Sequence, residues 1–300
     1  MAHHSDGMTR LMVSRTTAIK LFTTAALAAV ILLSVVFSSA RADETEKVLR
    51  VCQDPNNLPF SNTKGEGIEN KLAELFAKKL GWKLEYFSFP QRMGFVRNTI
   101  RFKLPGTNYR CDIIMGVPSG FDQVALTKPY YRSTYALVFP KGKGLDNVKT
   151  KQDFLQLDPQ QLKKLKIGLY DRSPASQWLA RRGLLEQAVP YRMMNADPDQ
   201  YPGEIIEKDL AAGTIDVAVV WGPIGGYFAK KVKQPELSIV PLTSEPGVNF
   251  QYEMAMGVRF GEKEWKAQVE KFLDENKAEI NAILREFNVP LLDETGKPLP

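Results

Sequence analysis

The sequence has 300 residues, of which 44% are hydrophobic and 25% are charged. That balance is typical of a globular protein and excludes collagen, coiled-coil and wholly disordered chains. Lys and Arg outnumber Asp and Glu by 40 to 34, which gives a net charge of +6. Residues 43–300 hold 36 basic and 33 acidic side chains. This excess is small and unclustered, so we expect no nucleic-acid partner.

The first 42 residues have the layout of a secretory signal peptide. Three basic residues precede an apolar run at 21–37, and residues 40–42, Ala-Arg-Ala, fit the small-x-small cleavage rule. An uncleaved membrane anchor is the alternative, but the run is shorter than the roughly 20 apolar residues that span a bilayer. We therefore predict cleavage before Asp43, a periplasmic location, and no membrane contact after cleavage.

The composition of the mature chain excludes several kinds of enzyme. The only histidines, His3 and His4, lie in the predicted leader. The remainder therefore cannot form a Ser-His-Asp or Cys-His arrangement and has no imidazole for a metal. In an oxidising compartment the pair Cys52 and Cys111 favours a disulfide, with two buried thiols as the alternative.

Strands and helices alternate along the first half of the mature chain. Periodicity predicts strands at 48–51, 82–89, 112–115 and 135–139, with helices at 69–80 and 95–102. Gly81 gives the first helix a natural C-terminal stop. This order is typical of a parallel sheet with helices on both faces.

The pattern then restarts. Strands are predicted at 166–170 and 216–221. One helix is predicted to begin at Pro174 with Ser173 as its N-cap, and a second helix is predicted at 204–212. A last strand at 254–260 and one long amphipathic helix ending at Asn288 follow. Each half contains an apolar strand that begins with Asp and runs into Gly and Pro, which favours two similar lobes.

The predicted fold class is α/β, with two doubly wound lobes joined by a two-segment hinge. We assign residues 43–138 and 248–300 to lobe 1 and residues 139–247 to lobe 2. The chain would cross between the lobes near 135–141 and 243–252. In such folds the loops at the carboxyl ends of the strands of both sheets face one cleft.

Residues on these loops are the candidate site. We expect the following to face a ligand or a partner in the cleft: Asp54, Asn56, Asn57, Phe60, Arg92, Ser119, Tyr130, Tyr131, Asp171, Arg172, Ser173 and Trp221.

Each candidate also has a purely structural interpretation. Asp54, Asn56 and Asn57 could make Asx turns instead, and one of the two tyrosines would pack beneath the cleft because neighbours on an extended segment point opposite ways. Ser173 could serve only as a helix cap, the arginines could lie at the rim, and Trp221 could belong to the core. Residues 195–199 have the oxygen spacing of a calcium loop but lack its glycine, so we predict no metal site.

Several ordered motifs resemble the type II periplasmic solute-binding proteins. The resemblance rests on residues 49–60, on Cys111-Asp112-Ile113-Ile114-Met115-Gly116, on Lys128-Pro129-Tyr130-Tyr131 and on residues 211–217. It covers nearly all of residues 48–288 and implies two lobes with a ligand cleft. Amino-acid-binding members carry an arginine after a lobe 1 strand and an acid after a lobe 2 strand. Here residues 111–131 contain no arginine, and Trp221-Gly222-Pro223 replaces the acid, so free amino acids are not the expected ligands.

Three more specific sequence motifs resemble one subfamily, the J accessory proteins encoded beside PQQ-dependent methanol and alcohol dehydrogenases. Residues 52–62, 115–118 and 219–223 carry that resemblance. It implies a non-enzymatic protein that binds the periplasmic methanol dehydrogenase and assists its maturation or activation, with the c-type cytochrome as a further candidate partner. The chain itself would need no cofactor, since the dehydrogenase carries PQQ and calcium or a lanthanide.

Two other functions stay open at this point. A transporter receptor for a small uncharged or aromatic solute would use the same fold. A dehydratase-like enzyme would need an acid–base pair in the cleft, for which Asp54 and Asp171 are the candidates. The fold alone does not decide among them.

Overall fold

The computed structural model describes residues 47–91, 94–193, 197 and 199–299. The predicted leader and Arg92 lie outside the described residues. The strands are β1 (Val48–Gln53), β2 (Asn56–Asn57), β3 (Ser61–Asn62), β4 (Lys83–Ser88), β5 (Ile113–Pro118), β6 (Ala125–Leu126), β7 (Tyr131–Pro140), β8 (Ile167–Tyr170), β9 (Ala188–Tyr191), β10 (Val217–Trp221), β11 (Leu237–Pro241) and β12 (Gln251–Val258). The helices are α1 (Ile68–Leu80), α2 (Phe95–Asn98), α3 (Lys151–Leu155), α4 (Pro159–Lys164), α5 (Pro174–Arg181), α6 (Gly222–Lys231), α7 (Lys263–Glu275) and α8 (Lys277–Glu286), with a 3-10 turn at Leu185–Gln187 and a π-helix at Ile205–Leu210.

A mixed sheet runs through both lobes in the order β4-β1-β5-β12-β7-β10-β8-β9, with β6 beside β12 and β11 beside β7. In lobe 1, β1 is parallel to β4 and β5. In lobe 2, β8 is parallel to β9 and β10. The strands β7 and β12 are antiparallel to each other and to their other neighbours. The predicted α/β fold is confirmed, and the antiparallel strands mark where the chain crosses between lobes.

The two lobes share β7. Residues 131–134 pair with β12 in lobe 1, and residues 135–138 pair with β10 in lobe 2. The chain returns through residues 242–250, where the Leu242 amide donates to the Tyr135 carbonyl at 2.8 Å and the Tyr135 amide to the Phe250 carbonyl at 3.0 Å. The predicted lobe boundary after residue 138 falls within this shared strand.

Each lobe has two buried hydrophobic clusters, one on each face of its sheet. Under α1, α7 and α8, the rings of Phe76 and Phe272 stack with centroids 4.1 Å apart. The opposite face of lobe 1 contains the predicted disulfide, in which the Cα atoms of Cys52 and Cys111 are 5.2 Å apart. Alternate residues of β1 point to opposite faces, as a strand requires. The disulfide prediction is thus confirmed.

Two predicted helices are shorter than expected. The helix predicted at 95–102 ends at Asn98, because Thr99 leaves the helical region and its hydroxyl donates to the Phe95 carbonyl at 2.7 Å. The single long helix predicted at the C-terminus is two helices, α7 and α8. Asn276 separates them, with φ −122° and a side-chain amide that donates to the Phe272 carbonyl at 2.8 Å. Side chains that bond to nearby backbone carbonyls compete with the helical pattern.

A backbone contact joins the lobes away from the sheet. The lobe 2 helix α6 lies against the segment that follows α8 in lobe 1, where the Asn288 side chain donates to the Gly226 carbonyl at 3.0 Å. The rings of Tyr227 and Phe287 stack across this contact at 5.6 Å. A Cβ at Gly226 would lie 1.8 Å from the Asn288 carbonyl oxygen. Only glycine permits this approach of the two lobes.

We expect Gly226→Ala to destabilise the protein. The added methyl must force α6 away from lobe 1, and overpacking of this kind costs about 1–3 kcal/mol. Gly225→Ala is the matched control on the same helix, because its Cβ would meet only side-chain methyl groups, the nearest at 3.1 Å. Thermal melts of residues 43–300 should show G226A melting several degrees below G225A. Equal melting temperatures would contradict the backbone contact.

Candidate functional site

A cavity of about 600 Å³ lies between the two lobes, and we call it the interlobe pocket. Its lobe 1 wall is formed by Asp54, Asn56 and Asn57, and its lobe 2 wall is mostly aromatic. The residues that line the rest of the pocket include Tyr135, Tyr170, Tyr191, Arg192, Tyr201, Glu204, Lys208, Asp209 and Trp221. Four of the sequence candidates therefore meet in one cavity.

The polar residues of the lobe 1 wall line the pocket and also form an Asx turn, as the two interpretations of the sequence allowed. Asp54 makes an Asx turn, since its Oδ1 accepts from the Asn56 amide at 2.8 Å, and its Oδ2 accepts from the Gln91 amide. The Asn56 side chain reaches across to lobe 2 and donates to the Asp199 carbonyl at 3.2 Å. The turn thus orients a residue that bridges the lobes.

The lobe 2 wall presents aromatic faces. Tyr170 and Tyr191 end the adjacent parallel strands β8 and β9, and their ring centroids are 6.2 Å apart. Their hydroxyls donate to the Pro202 carbonyl and to Asp209, each at 2.7 Å, and Tyr201 donates to Glu207 at 2.6 Å. Because the hydroxyls are engaged within the protein, the wall offers rings rather than free donors. Sequence reasoning missed these tyrosines, although their positions at strand ends were a usable signal.

One pair of opposite charges at the interlobe pocket is neutralised within lobe 2. Lys208 pairs with Glu204 at 2.7 Å, and Asp209 accepts from Tyr191. Arg192 lies at the exposed rim, a cation that sequence reasoning did not place there. Among the described residues, the lobe 1 wall contains no cation. The described part of the pocket therefore has no lobe 1 cation of the kind that holds the carboxylate of an amino acid.

A second cavity, of about 870 Å³, adjoins the returning segment 242–250, and we call it the crossover pocket. Arg172 and Ser173 line it. Arg172 has a φ of 57°, in the left-handed region that is costly for a residue other than glycine. Strain of this kind often accompanies functional loops.

The predicted side-chain cap by Ser173 is wrong. Ser173 stands at the N-cap position, but its buried hydroxyl has no hydrogen-bond partner. The Ser176 amide, which a capping side chain would normally engage, donates instead to the Ser173 carbonyl at 3.1 Å.

Trp221 lies between the two pockets. Its ring centroid is 5.6 Å from Tyr135 and 5.9 Å from Tyr252. Tyr135 lines the interlobe pocket with Trp221, and Tyr252 lines the crossover pocket. The aromatic cluster joins both crossing segments to the end of β10, so Trp221 is at once a pocket wall and a packing residue.

Of the sequence candidates that the structure describes, five line neither pocket. Phe60 packs against the hydrophobic cluster of lobe 2 that contains Phe228. Ser119 is exposed on the turn after β5, with its amide bonded to the Glu253 carbonyl at 2.8 Å. Asp171 accepts from the Met193 amide at 2.8 Å.

The expectation that one of Tyr130 and Tyr131 faces the cleft needs correction. Tyr131 is a member of the lobe 1 core, and Tyr130 packs against that core with its hydroxyl on the Met115 carbonyl at 2.9 Å. The two rings meet edge to face at 4.9 Å. Their mutual packing draws both side chains inward.

Glu69 is a buried acid that sequence reasoning missed. It lies in the first turn of α1 and is only 8% exposed. A Cβ at Gly116 would lie 2.4 Å from its Oε1, so this carboxyl rests directly on β5. Burial, and to a lesser extent the charge of Asp54, raise the pKa of Glu69 from 4.5 to about 8. The carboxyl is therefore largely protonated at neutral pH.

We expect Glu69→Gln to change how stability depends on pH. Between pH 4.5 and 8 the unfolded chain loses the Glu69 proton while the folded chain keeps it, so the free energy of unfolding falls as pH rises. Over this whole pH range the free energy of unfolding falls by about 3–5 kcal/mol for a pKa shift of this size. Urea unfolding at pH 5 and pH 8.5 should show that E69Q removes most of this loss, whereas the exposed control E74Q on the same helix keeps it. A wild-type pH dependence in E69Q would contradict the buried acid.

The described ranges contain no group of three or more His, Cys, Asp or Glu side chains that could hold a metal ion. The calcium-like spacing at 195–199 lies mostly outside the described residues. In the described part of the chain, none of the helices has both the length and the apolar character needed to cross a bilayer.

No protein-family model matches the chain. The chain is similar to the crystal structure of the periplasmic binding protein XoxJ from Methylobacterium extorquens AM1, with 39% identity and a TM-score of 0.65 over 82% of this chain and 100% of that chain. MxaJ from Methlophaga aminisulfidivorans MPT is 26% identical with a TM-score of 0.67 over 81% of this chain and 100% of that one. Protein MoxJ of Paracoccus denitrificans is 29% identical over 269 residues, 85% of this chain and 92% of MoxJ.

These similarities extend over both lobes rather than over one motif. They confirm the family resemblance that the ordered motifs indicated. With 39% identity over the whole of XoxJ, the chain belongs to the family of periplasmic binding proteins that includes XoxJ and MxaJ.

Proposed function

We propose that the mature chain is a non-enzymatic periplasmic accessory protein of a PQQ-dependent methanol dehydrogenase. It would assist maturation or activation of the enzyme by binding it directly. The observation that carries this proposal is the 39% identity to XoxJ over the full length of that protein. The ordered motifs that resemble the J accessory proteins support the same function.

The joint between the lobes supports a protein partner over a transported solute. A receptor for a transporter closes its lobes around a ligand by a hinge motion. Here Leu58 and Phe60 of lobe 1 pack against a lobe 2 cluster, and α6 contacts lobe 1 backbone to backbone at Gly226. These contacts would have to break for the lobes to open widely.

The candidate acids support a non-enzymatic role. Both carboxylate oxygens of Asp54 accept backbone amides, and Asp171 accepts the Met193 amide. Glu69 is protonated near neutrality but lines neither described pocket. A general acid or base must reach the reacting group of its substrate. These carboxyls are instead engaged in holding the loops and the core.

We expect residues 43–300 to bind purified PQQ methanol dehydrogenase saturably. A titration by biolayer interferometry should give a 1:1 curve, measured in parallel with enzyme loaded with its metal and with enzyme stripped of it. A difference in affinity between the two forms would point to a role in maturation of the enzyme. The same chain with the G226A joint defect tests whether the assembled two-lobed surface is required.

Absence of binding to both enzyme forms would refute the accessory function. An unrelated periplasmic protein of similar charge serves as the negative partner, since a net charge of about +3 can produce weak non-specific association.

A second candidate function is a receptor for an uncharged aromatic solute. Five aromatic side chains line the 600 Å³ interlobe pocket, namely Tyr135, Tyr170, Tyr191, Tyr201 and Trp221. A thermal-shift screen distinguishes it, because a ligand at 100 times its Kd stabilises the fold by about 2.7 kcal/mol. A hit that Trp221→Ala abolishes and Trp265→Phe does not would favour this function over the first.

A further inference from the structure

Lobe 1 exposes a basic loop far from both pockets. The basic loop comprises residues 101–110, between α2 and β5, and none of its residues lines either pocket. It leads into the amino end of β5, whereas the interlobe pocket begins beyond the carboxyl end of the parallel strand β1. A partner on this loop would leave the interlobe pocket uncovered.

The basic loop is held at both ends. The Arg259 guanidinium donates to the carbonyls of Ile100 and Cys111, at 3.2 and 2.6 Å, and so ties together the residues that flank the loop. The same guanidinium pairs with Asp112 at 2.7 Å and lies 4.1 Å from the ring centroid of Tyr109. The disulfide fixes Cys111 to β1. These contacts restrain both ends of the loop, which lowers the entropy cost of binding a partner there.

The surface of the loop combines cations with aromatic rings. Arg101 lies over Phe260 with 5.6 Å to the ring centroid, and Arg110 lies 5.7 Å from Phe87. Phe260 is 59% exposed and Leu104 is 45% exposed, two of the five large hydrophobic side chains that stand out in the described residues. Arginine and aromatic side chains are enriched at protein interfaces and dominate their binding energy.

The charge of this surface is unbalanced. Residues 97–110 contain Arg97, Arg101, Lys103 and Arg110 and no acid. In the described part of the chain none of these four cations forms an ion pair, although many other surface cations do, such as Lys128 with Asp274 and Lys151 with Glu245. The surplus is complementary to an acidic surface.

We propose that the basic loop is the docking surface for an acidic face of the partner enzyme, an inference that rests on the proposed function. The occupant is a folded protein surface that offers carboxylates to Arg101 and Lys103 and an apolar contact to Phe260 and Leu104. A protein fits better than a membrane, because both ends of the loop are held and the guanidinium groups of Arg101 and Arg110 lie over aromatic rings. Membrane attraction of about 1 kcal/mol per basic residue would leave four cations with weak binding only.

The test compares R101E/K103E with the control K163E/K164E in residues 43–300. Lys163 and Lys164 are exposed on α4 in lobe 2 and have no ion pair among the described residues, so both variants change the net charge equally. We expect R101E/K103E to weaken binding to the dehydrogenase by about tenfold or more and to flatten its salt dependence, because interface charges act on association rates. The control should bind like the wild type, and R101Q/K103Q should show a smaller loss.

The outcomes separate this inference from the proposed function. If the wild type does not bind the dehydrogenase, both are refuted. If the wild type binds and R101E/K103E binds as tightly as the control, with equal melting temperatures, only the docking surface is refuted. Vesicles containing phosphatidylglycerol form a second arm. Binding to them that R101E/K103E alone loses, with dehydrogenase binding unchanged, would assign the loop to a membrane and overturn the proposal.

Discussion

The strand β7 is the element on which the rest of the structure depends, because both lobes pair with it. Its first four residues belong to the lobe 1 sheet and the next four to the lobe 2 sheet. The register therefore fixes Tyr135 between the lobes, where it meets Trp221 and Tyr252. Both pockets are built around that aromatic cluster, and their walls follow from where β7 changes its partners.

The contacts that accompany β7 change what the fold is suited to do. Binding proteins of this architecture usually work by opening and closing a cleft. In this chain, Gly226 brings α6 against the Asn288 carbonyl, and the turn between β2 and β3 packs into the lobe 2 cluster. A joint of this kind favours a fixed surface over a moving cleft. The basic loop at 101–110 is restrained separately, within lobe 1, by Arg259 and the disulfide.

Sequence patterns predicted the fold well because the main strands and helices carry strong local signals. Apolar periodicity located β1, α1 and β10, and the even cysteine pair predicted the disulfide. The misses have physical causes in long-range contacts. Asn276 divides the last helix through one side-chain bond, and Tyr130 and Tyr131 turn inward because they pack on each other. Glu69 looks like an ordinary first-turn acid until β5 is placed against it. For the candidate site, the polar loop at 54–57 was predicted, whereas the facing tyrosines depend on the register of β8 and β9.

Hydrogen–deuterium exchange of residues 43–300, alone and with purified methanol dehydrogenase, tests whether the chain binds the enzyme through the basic loop. We expect slower exchange on complex formation in peptides covering residues 97–111 and around Phe260, with little change in peptides covering residues 188–210. Unchanged exchange throughout the chain at saturating enzyme, together with protection of residues 188–210 by a small solute, would contradict this expectation and identify a solute receptor.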